Sequence, residues 1–374
     1  MSVDWAKLGK TWRVRYKMVS PSDLNSTLGE LEGVVPSTAS ITESYYGDTR
    51  VQAKLSFVGD GWVRQSFVRI IAELPDEGYK EELGTFLATS DDASTENGEW
   101  TTSLDLESML YALDQESGVQ WTVKEGASAL HAIERMLKNC GRDYIDKTAN
   151  DKVLGKNHVY QADKSFLARV YDLCDRSGNR LDVDGHGRVT VEKYVRPRKK
   201  TPSFEIDLKA ADGMAHDGVS RSSNYLQIPT DCVVYATKNE DYTTTNAKGK
   251  KVTKQRTKYV YGTASNGGRV GRGKRGYVIT KVVNETDVED PTASGMHAKA
   301  KEYLANASGE SEQYELTCEY MPIHAGDVGI LRGLDDPYYP SKQKVLVKER
   351  ELELEHMTMK LTLKLANDEG DDDE

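Results

Sequence analysis

Strict alternation of apolar and polar residues is the feature that most restricts how this 374-residue chain can fold. The alternation is clearest in residues 12–19, 344–355 and 357–365. Because successive side chains of a strand point to opposite faces of a sheet, each run predicts a strand with one buried face. The phase of the last two runs slips by one residue at Glu355 and His356, which predicts a hairpin with a turn or bulge at that point.

Further strand-like runs fill the first hundred residues. They lie at residues 51–59, 62–74 and 81–90. The Gly-Asp-Gly sequence at 59–61 lies between the first two and predicts a tight hairpin, whereas the polar residues 91–99 predict a loop. Antiparallel strands of this length within about 100 residues indicate a small barrel or sandwich.

Other segments of the chain have apolar residues at helical spacing. It occurs at residues 103–116, 127–141, 164–178 and 291–309. Gly178 and Gly309 are suited to end the last two of these helices, and Thr292 is a candidate N-cap. Residues 180–197 predict a hairpin, and the basic, proline-containing residues 196–200 that end it predict a domain boundary.

Strands predominate again after residue 200. The expected strands lie at residues 204–208, 230–237, 258–262, 276–283 and 311–321, and a turn is expected at 324–327. Two strand-rich regions, at about 12–106 and 201–365, therefore enclose a segment of mixed character. The predicted fold class is α+β, mainly β.

Charge and hydropathy exclude several classes of function. The chain carries 50 Lys and Arg against 60 Asp and Glu, and its net charge of −10 argues against wrapping of nucleic acid as the main activity. No apolar run approaches the roughly 18 residues of a membrane span, and the charged N-terminus lacks a secretory signal, so we expect synthesis in a cytoplasm. Four widely spaced cysteines predict small buried side chains and neither a zinc nor a redox site: Cys140, Cys174, Cys232 and Cys318.

Motifs that would carry chemistry are weak. Residues 268–275 match the start of a phosphate-binding loop, but Arg275 stands where the magnesium-binding Ser or Thr belongs, and a strand-like run follows. Residues 182–187 match part of a calcium loop, although Asp-Gly between two strands more simply predicts a hairpin turn. The seven histidines have no metal-ligand spacing. We expect no cofactor, no metal ion and no enzymatic activity, while 60 carboxylates leave a glycosidase-like pair open.

One segment departs from the acidic average. Between Lys238 and Arg275 stand eleven Lys and Arg residues and two Asp and Glu residues, a local excess of +9. The segment is either a solvated hairpin whose charges keep it soluble or a loop that contacts an acidic neighbour or passing nucleic acid. The candidate contact residues are Lys248, Lys250, Lys251, Lys254, Arg256, Lys258, Arg269, Arg272, Lys274 and Arg275.

The order of the segments resembles that of the tail hub, or baseplate hub, proteins of tailed bacteriophages, which are related to the base of type VI secretion spikes. Residues 166–197 resemble that family's unit of helix, strand, D-x-x-G turn and strand. Residues 297–331 resemble its unit of helix, strand and Gly-Asp turn, and residues 46–74 resemble its N-terminal strands. The resemblance extends from about residue 12 to 365.

The resemblance implies a structural virion protein and not an enzyme. Such a protein would be a homotrimer whose six β-barrels form a pseudo-sixfold ring around a DNA exit channel. Its partners would be the distal tail protein or tail tube ring, a tip, spike or fibre protein, the tape-measure protein and, in transit, genomic DNA. Its location would be the tail tip of the virion, after assembly in the host cytoplasm.

The resemblance also implies a domain organisation. Residues 1–106 and 201–366 would be two tube-type β-barrels, the second with a helical insertion at 291–309. Residues 107–200 would be an α+β domain. The segment 368–374 (DEGDDDE) would be an acidic disordered tail. Only this segment follows the last predicted strand, so no fused cell-wall-cleaving domain is expected.

Two other functions are kept open. The tyrosine content and the glycine-rich loops are compatible with a receptor- or carbohydrate-binding tail-tip protein. The abundance of carboxylates is compatible with a cell-wall hydrolase.

Overall fold

The computed structural model describes residues 5, 10–59, 61–62, 65–96, 98–141, 144–146, 148–210, 215–223, 228–245, 250–267, 271–285, 291–309, 312–334 and 341–366. Strands predominate, with 54% strand against 16% helix, which confirms the predicted α+β, mainly β class. The helices are α1 (Ala129–Asn139), α2 (Phe166–Ser177), α3 (Arg272–Arg275) and α4 (Ala293–Gly309). No helix in the described part of the chain is long and apolar enough to cross a bilayer.

The strands are numbered in chain order. They are β1 (Arg13–Ser20), β2 (Asp23–Glu30), β3 (Val34–Ser44), β4 (Val51–Val58), β5 (Phe67–Leu74), β6 (Tyr79–Glu96), β7 (Glu99–Ser108), β8 (Trp121–Val123), β9 (Tyr144–Asp146), β10 (His158–Tyr160), β11 (Asn179–Val183), β12 (Val189–Lys193), β13 (Phe204–Asp207), β14 (Ala215–Ser223), β15 (Asp231–Thr245), β16 (Lys251–Ser265), β17 (Thr280–Asn284), β18 (Glu312–Glu319), β19 (Val328–Arg332), β20 (Lys342–Glu353) and β21 (Thr358–Leu365).

The chain divides into two compact units. Unit 1 comprises residues 1–219, 316–342 and 347–362. Unit 2 comprises residues 220–315, 343–346 and 363–374.

Unit 1 is built on a large sheet in which several neighbouring strands are not consecutive in the sequence. Nine strands of this sheet run in the order β21-β20-β3-β4-β7-β6-β5-β1-β2, and β19 pairs with both β20 and β13. The predicted hairpin at the C-terminal end is confirmed, because β20 and β21 are neighbours in the sheet. The phase slip lies at this turn, where Met357 adopts a positive φ of 52°.

The predicted hairpin at residues 59–61 is wrong. Strand β4 pairs with β3 and β7, while β5 pairs with β1 and β6. The reason is that a longer hairpin, formed by β6 and β7, lies between β4 and β5 in the sheet. The pairing of β6 with β7 extends as far as Glu96 and Glu99. Gly98 in its turn has a φ of 85°, the conformation that an Asn-Gly turn requires.

The same hairpin corrects two further expectations. Residues 91–96 and Glu99 are not a loop, because they belong to the end of β6 and the beginning of β7. The first half of segment 103–116 is not helical either. Leu104, Leu106 and Ser108 are buried and alternate with more exposed residues, so the period of two outweighs the helical spacing of the leucines.

The helices of unit 1 confirm their predictions. Ser128 and Ser165 cap α1 and α2 by accepting hydrogen bonds from the backbone N–H groups of His131 and Ala168, at 3.0 and 3.1 Å. Gly178 ends α2 in the left-handed conformation, with a φ of 69°. The apolar faces of both helices pack into one core with strands β8, β10, β11 and β12.

All four cysteines are free thiols. Cys174, Cys232 and Cys318 are buried, as expected, and Cys140 is partly exposed.

Unit 2 contains a three-stranded sheet of order β16-β15-β17, covered on one face by α4. The buried side of α4 presents Met296, Ala300 and Leu304, and Tyr303 packs against the same core while partly buried. Gly262 on β16 permits the close approach of the helix. A Cβ atom at Gly262 would lie 2.0 Å from the carbonyl carbon of Met296.

We expect Gly262→Ala to destabilise unit 2 by about 1–3 kcal/mol, because the added methyl group would overlap helix backbone that cannot rotate away. The loss in unfolding free energy is measured by denaturant unfolding, with the hydrogen exchange of the α4 amides as the readout. Gly273→Ala is the matched control, since its Cβ would meet no atom within 4 Å. Equal stability of the two variants would contradict the proposed packing role.

Candidate functional site

A buried ionic centre lies in unit 1, where β3, β6, β20 and the turn after β18 meet. Arg350 on β20 is fully buried and forms an ion pair with Glu43 on β3. His324 lies between two carboxylates. Its Nδ1 is 3.1 Å from Oε1 of Glu43 and its Nε2 is 3.1 Å from Oε1 of Glu81.

Backbone and hydroxyl groups complete the centre. The backbone N–H of Ala325 donates to Oε2 of Glu43 at 3.0 Å, and Arg350 donates to the carbonyl of Ile323 at 2.9 Å. The hydroxyls of Tyr79 and Tyr320 both donate to Oε2 of Glu81. The turn at residues 324–327, which the sequence predicted, therefore supplies several of the partners.

The charges of the centre stabilise one another. Burial alone would raise the pKa of Glu43, but Arg350 and His324 outweigh it and lower this pKa to about 2. Burial and Arg350 would lower the pKa of His324, but Glu43 and Glu81 raise it to about 9. At neutral pH the centre therefore contains two cations and two carboxylates.

A cavity of about 320 Å³ opens beside this centre. Its opposite side is formed by the β11–β12 hairpin and includes Arg180 and Asp184. The hairpin turn at residues 182–187 packs on β6, and a Cβ atom at Gly185 would lie 2.1 Å from the carbonyl oxygen of Glu82. The calcium-loop interpretation is thus not needed, because close packing explains the Asp-Gly sequence.

The ionisation of the cavity carboxylates limits their chemistry. Burial raises the pKa of Glu81, but hydrogen bonds from His324, Tyr320 and Tyr79 lower it below its usual range overall. The pKa of Glu43 is also low. A glycosidase acid needs a raised pKa so that it carries a proton at neutral pH, and these two residues have the opposite property.

Arg350→Met is expected to destabilise unit 1 by about 3–5 kcal/mol, because Glu43 would remain buried without its cation. Denaturant unfolding measures the loss, and the double variant Glu43→Gln/Arg350→Met should recover part of it. Lys54→Met is the control. The exposed pair of Lys54 and Asp105, at 3.6 Å, is expected to contribute less than about 1 kcal/mol. Similar losses in the two single variants would contradict the ionic centre.

Stability should also depend on pH through His324. Its raised pKa means that its contribution is complete below pH 6.5 and is lost as the pH rises through about 9. The side chain is 44% exposed, so screening by solvent reduces the effect to about 1–2 kcal/mol. We expect the difference in unfolding free energy between wild type and His324→Gln to decrease as the pH rises from 6.5 to about 9. A difference that stays constant in urea unfolding across the range would contradict the assignment.

The candidate basic residues lie in unit 2, on two structural elements. Strands β15 and β16 form an antiparallel hairpin of 15 residues on each side. Strand β17 pairs only with Asp231–Tyr235 of β15, so among the described residues the rest of the hairpin is a two-stranded ribbon. We define the ribbon as residues 236–245 and 251–260.

The ribbon separates its charges by face. Lys254, Arg256 and Lys258 are exposed and share one face of β16, since they are two residues apart. Directly opposite them on β15 lie Tyr242, Glu240 and Lys238. Arg256 contacts both of its neighbours there, with Nη2 2.8 Å from Glu240 and the guanidinium 5.5 Å from the ring of Tyr242.

The other candidates are distributed differently. Lys250 and Lys251 lie where β16 begins, and Arg272, Lys274 and Arg275 belong to the single turn α3. Arg272 forms an ion pair of 2.6 Å with the buried Asp231, and Arg275 donates to the carbonyl of Ile228 at 2.7 Å. These two therefore have a structural role within unit 2. Lys248 and Arg269 lie outside the described residues, as do residues 367–374.

Known structures share the fold of this chain. The 43 kDa tail protein of prophage MuSo2 from Shewanella oneidensis aligns with a TM-score of 0.67 over 95% of this chain and 99% of its own, at 10% identity. A tail protein from Neisseria meningitidis aligns with a TM-score of 0.66 over 94% and 96%, at 12% identity. A chain of the Francisella PdpA–VgrG complex aligns with a TM-score of 0.56 over 96% of this chain and 58% of its own, at 11% identity.

No protein-family model and no curated protein matches the sequence. The likeness therefore concerns the fold, and it confirms the resemblance to phage tail proteins that the order of segments indicated.

Sequence reasoning missed the ionic centre. Glu43 and Arg350 are separated by 307 residues, and neither lies in a motif. The signal that could have found them is a charged residue in the buried parity of a strand. Glu43 follows Ala39 and Ile41 in that parity, and Arg350 precedes Leu352.

Proposed function

We propose that this chain is a structural protein of a bacteriophage tail and occupies the position of the tail hub. The observation that carries the proposal is the shared fold with a prophage tail protein and with a tail protein from Neisseria meningitidis, over nearly the whole of each chain. In this proposal the protein is not an enzyme. The low pKa values of Glu43 and Glu81 argue against these two residues as the acid of a wall hydrolase.

The proposed assembly is a homotrimer. Each chain contributes two tube-type β-barrel domains, residues 1–106 and 201–366, separated by the α+β segment 107–200. Six such domains form a ring that adapts a sixfold tail tube to a threefold tip and surrounds the exit path of the DNA. The resulting location is the tail tip of the virion.

The proposed neighbours follow from this position. A distal tail or tail tube ring lies on one side and a tip, spike or fibre protein on the other. The likeness to a chain of the PdpA–VgrG complex supports a partner on the spike side. The basic residues of the ribbon would contact an acidic neighbour, because they are exposed and concentrated on one face.

Mass photometry of the purified chain tests the trimer. We expect a species of three times the chain mass of 41.7 kDa, together with ring-shaped particles in negative-stain micrographs. A monomer at every concentration, with no ring on virions, would overturn the hub assignment.

Charge reversal tests the basic contact residues. The triple variant Lys254→Glu/Arg256→Glu/Lys258→Glu should reduce the yield of infectious phage by at least about tenfold while leaving the fold intact, because its positions are exposed on one face of the ribbon. The control reverses three exposed lysines of unit 1, Lys124, Lys164 and Lys193. Normal phage yield from the first variant would dismiss the contact.

A further inference from the structure

Three potential metal ligands lie together at the turn between β20 and β21 in unit 1. Glu353 is the last residue of β20, and Glu355 and His356 follow in the turn. Nδ1 of His356 is 3.1 Å from Oε1 of Glu353 and 3.8 Å from Oε2 of Glu355. One ligand atom of each side chain lies within 4.8 Å of the other two.

The separations between these atoms match those of a coordination sphere. Zinc binds histidine nitrogen at about 2.0–2.1 Å and carboxylate oxygen at about 2.0–2.2 Å. Two ligand atoms of a tetrahedral zinc ion are therefore about 3.3 Å apart. A single ion can thus contact His356 and both glutamates with no change in the backbone of the turn.

A hydroxyl group outside the cluster orients one of its carboxylates. The hydroxyl of Thr358 on β21 donates to Oε2 of Glu353 at 2.9 Å, whereas Oε1 of the same carboxylate lies beside the imidazole. Ligating carboxylates in metal sites are commonly held by such hydrogen bonds, which fix the direction of the ligand atom. Glu353 is therefore positioned by β21 as well as by its own strand.

The donor set restricts the class of ion. Calcium and magnesium prefer oxygen ligands, whereas an imidazole nitrogen suits zinc and similar transition-metal ions. Two carboxylates and one neutral imidazole also balance the charge of a divalent ion. The hydrogen bond with Glu353 raises the pKa of His356, so the ion must displace a proton from this imidazole.

We propose that Glu353, Glu355 and His356 bind one Zn²⁺ ion, with water in the fourth position. The bound ion joins the end of β20 to the turn and so stabilises the β20–β21 hairpin. Histidine spacing predicted no metal ion, because His356 has no second histidine or cysteine near it in the sequence, and the turn brings glutamates to it instead. The site lies within one chain, so it does not depend on the tail-hub assembly.

Isothermal titration calorimetry of the purified full-length chain with ZnCl₂ tests the site. We expect one ion per chain, and His356→Gln and Glu353→Gln should each weaken binding at least about tenfold. His131→Gln is the matched control with unchanged affinity, since His131 is exposed and interacts with the carboxylate of Glu134. Absence of binding, or equal affinity of wild type and His356→Gln, would overturn the proposal.

Two further titrations distinguish this site from binding to carboxylates alone. A variant that lacks the acidic residues 368–374 should bind Zn²⁺ as the wild type does, and loss of binding there would assign the ion to that segment instead. CaCl₂ should bind to the full chain at least about a hundredfold more weakly than ZnCl₂, because calcium does not favour imidazole. Equal affinity for the two ions would show that His356 is not a ligand.

Thermal unfolding measures the effect on the fold. ZnCl₂ should raise the Tm of the wild type and leave the Tm of His356→Gln unchanged, because an ion that binds only the folded chain stabilises it. The same rise in both proteins would place the ion elsewhere and contradict the assignment.

Discussion

The ion pair of Arg350 with Glu43 is the interaction on which the sheet of unit 1 depends, because it places a full charge where water cannot reach it. Such a charge is tolerated only with partners: Glu43 and the carbonyl of Ile323 accept from Arg350, and His324 and the backbone of Ala325 in turn bind Glu43. The alternatives to this arrangement, such as a strand shifted by one residue, would leave an unpaired buried charge. The ionic centre therefore specifies the register of β3 against β20.

The two units use charge in opposite ways. In unit 1 the opposite charges are buried together, and their pKa values have moved so that both signs persist at neutral pH. In unit 2 positive charges predominate on one face of a ribbon. The first arrangement gives a defined structure, and the second leaves a surface that attracts acidic groups.

Local signals in the sequence predicted the local structure. Helices α1 and α2 were predicted because the apolar stripe and the end residues of each helix lie within 15 residues of one another. The β20–β21 hairpin was predicted because the alternation of apolar and polar residues slips by one residue at its turn. The neighbours of β4 and β5 were not predicted, since strand order depends on side chains far apart in the chain. Glu43 and Arg350 could not be paired from sequence for the same reason. The basic residues were found by composition, but their separation onto one face needed the register of the ribbon.

The separation of Glu43 and Arg350 by 307 residues has a consequence for biosynthesis. At about 5–20 residues per second, the ribosome needs roughly 15–60 s to deliver β20 after β3 has emerged. During that interval the edge of β3 that will receive β20 is unpaired and carries an acidic side chain with no cation beside it. The nascent N-terminal sheet is therefore exposed to aggregation until β20 has emerged, and the late closure of so long a loop makes folding slow.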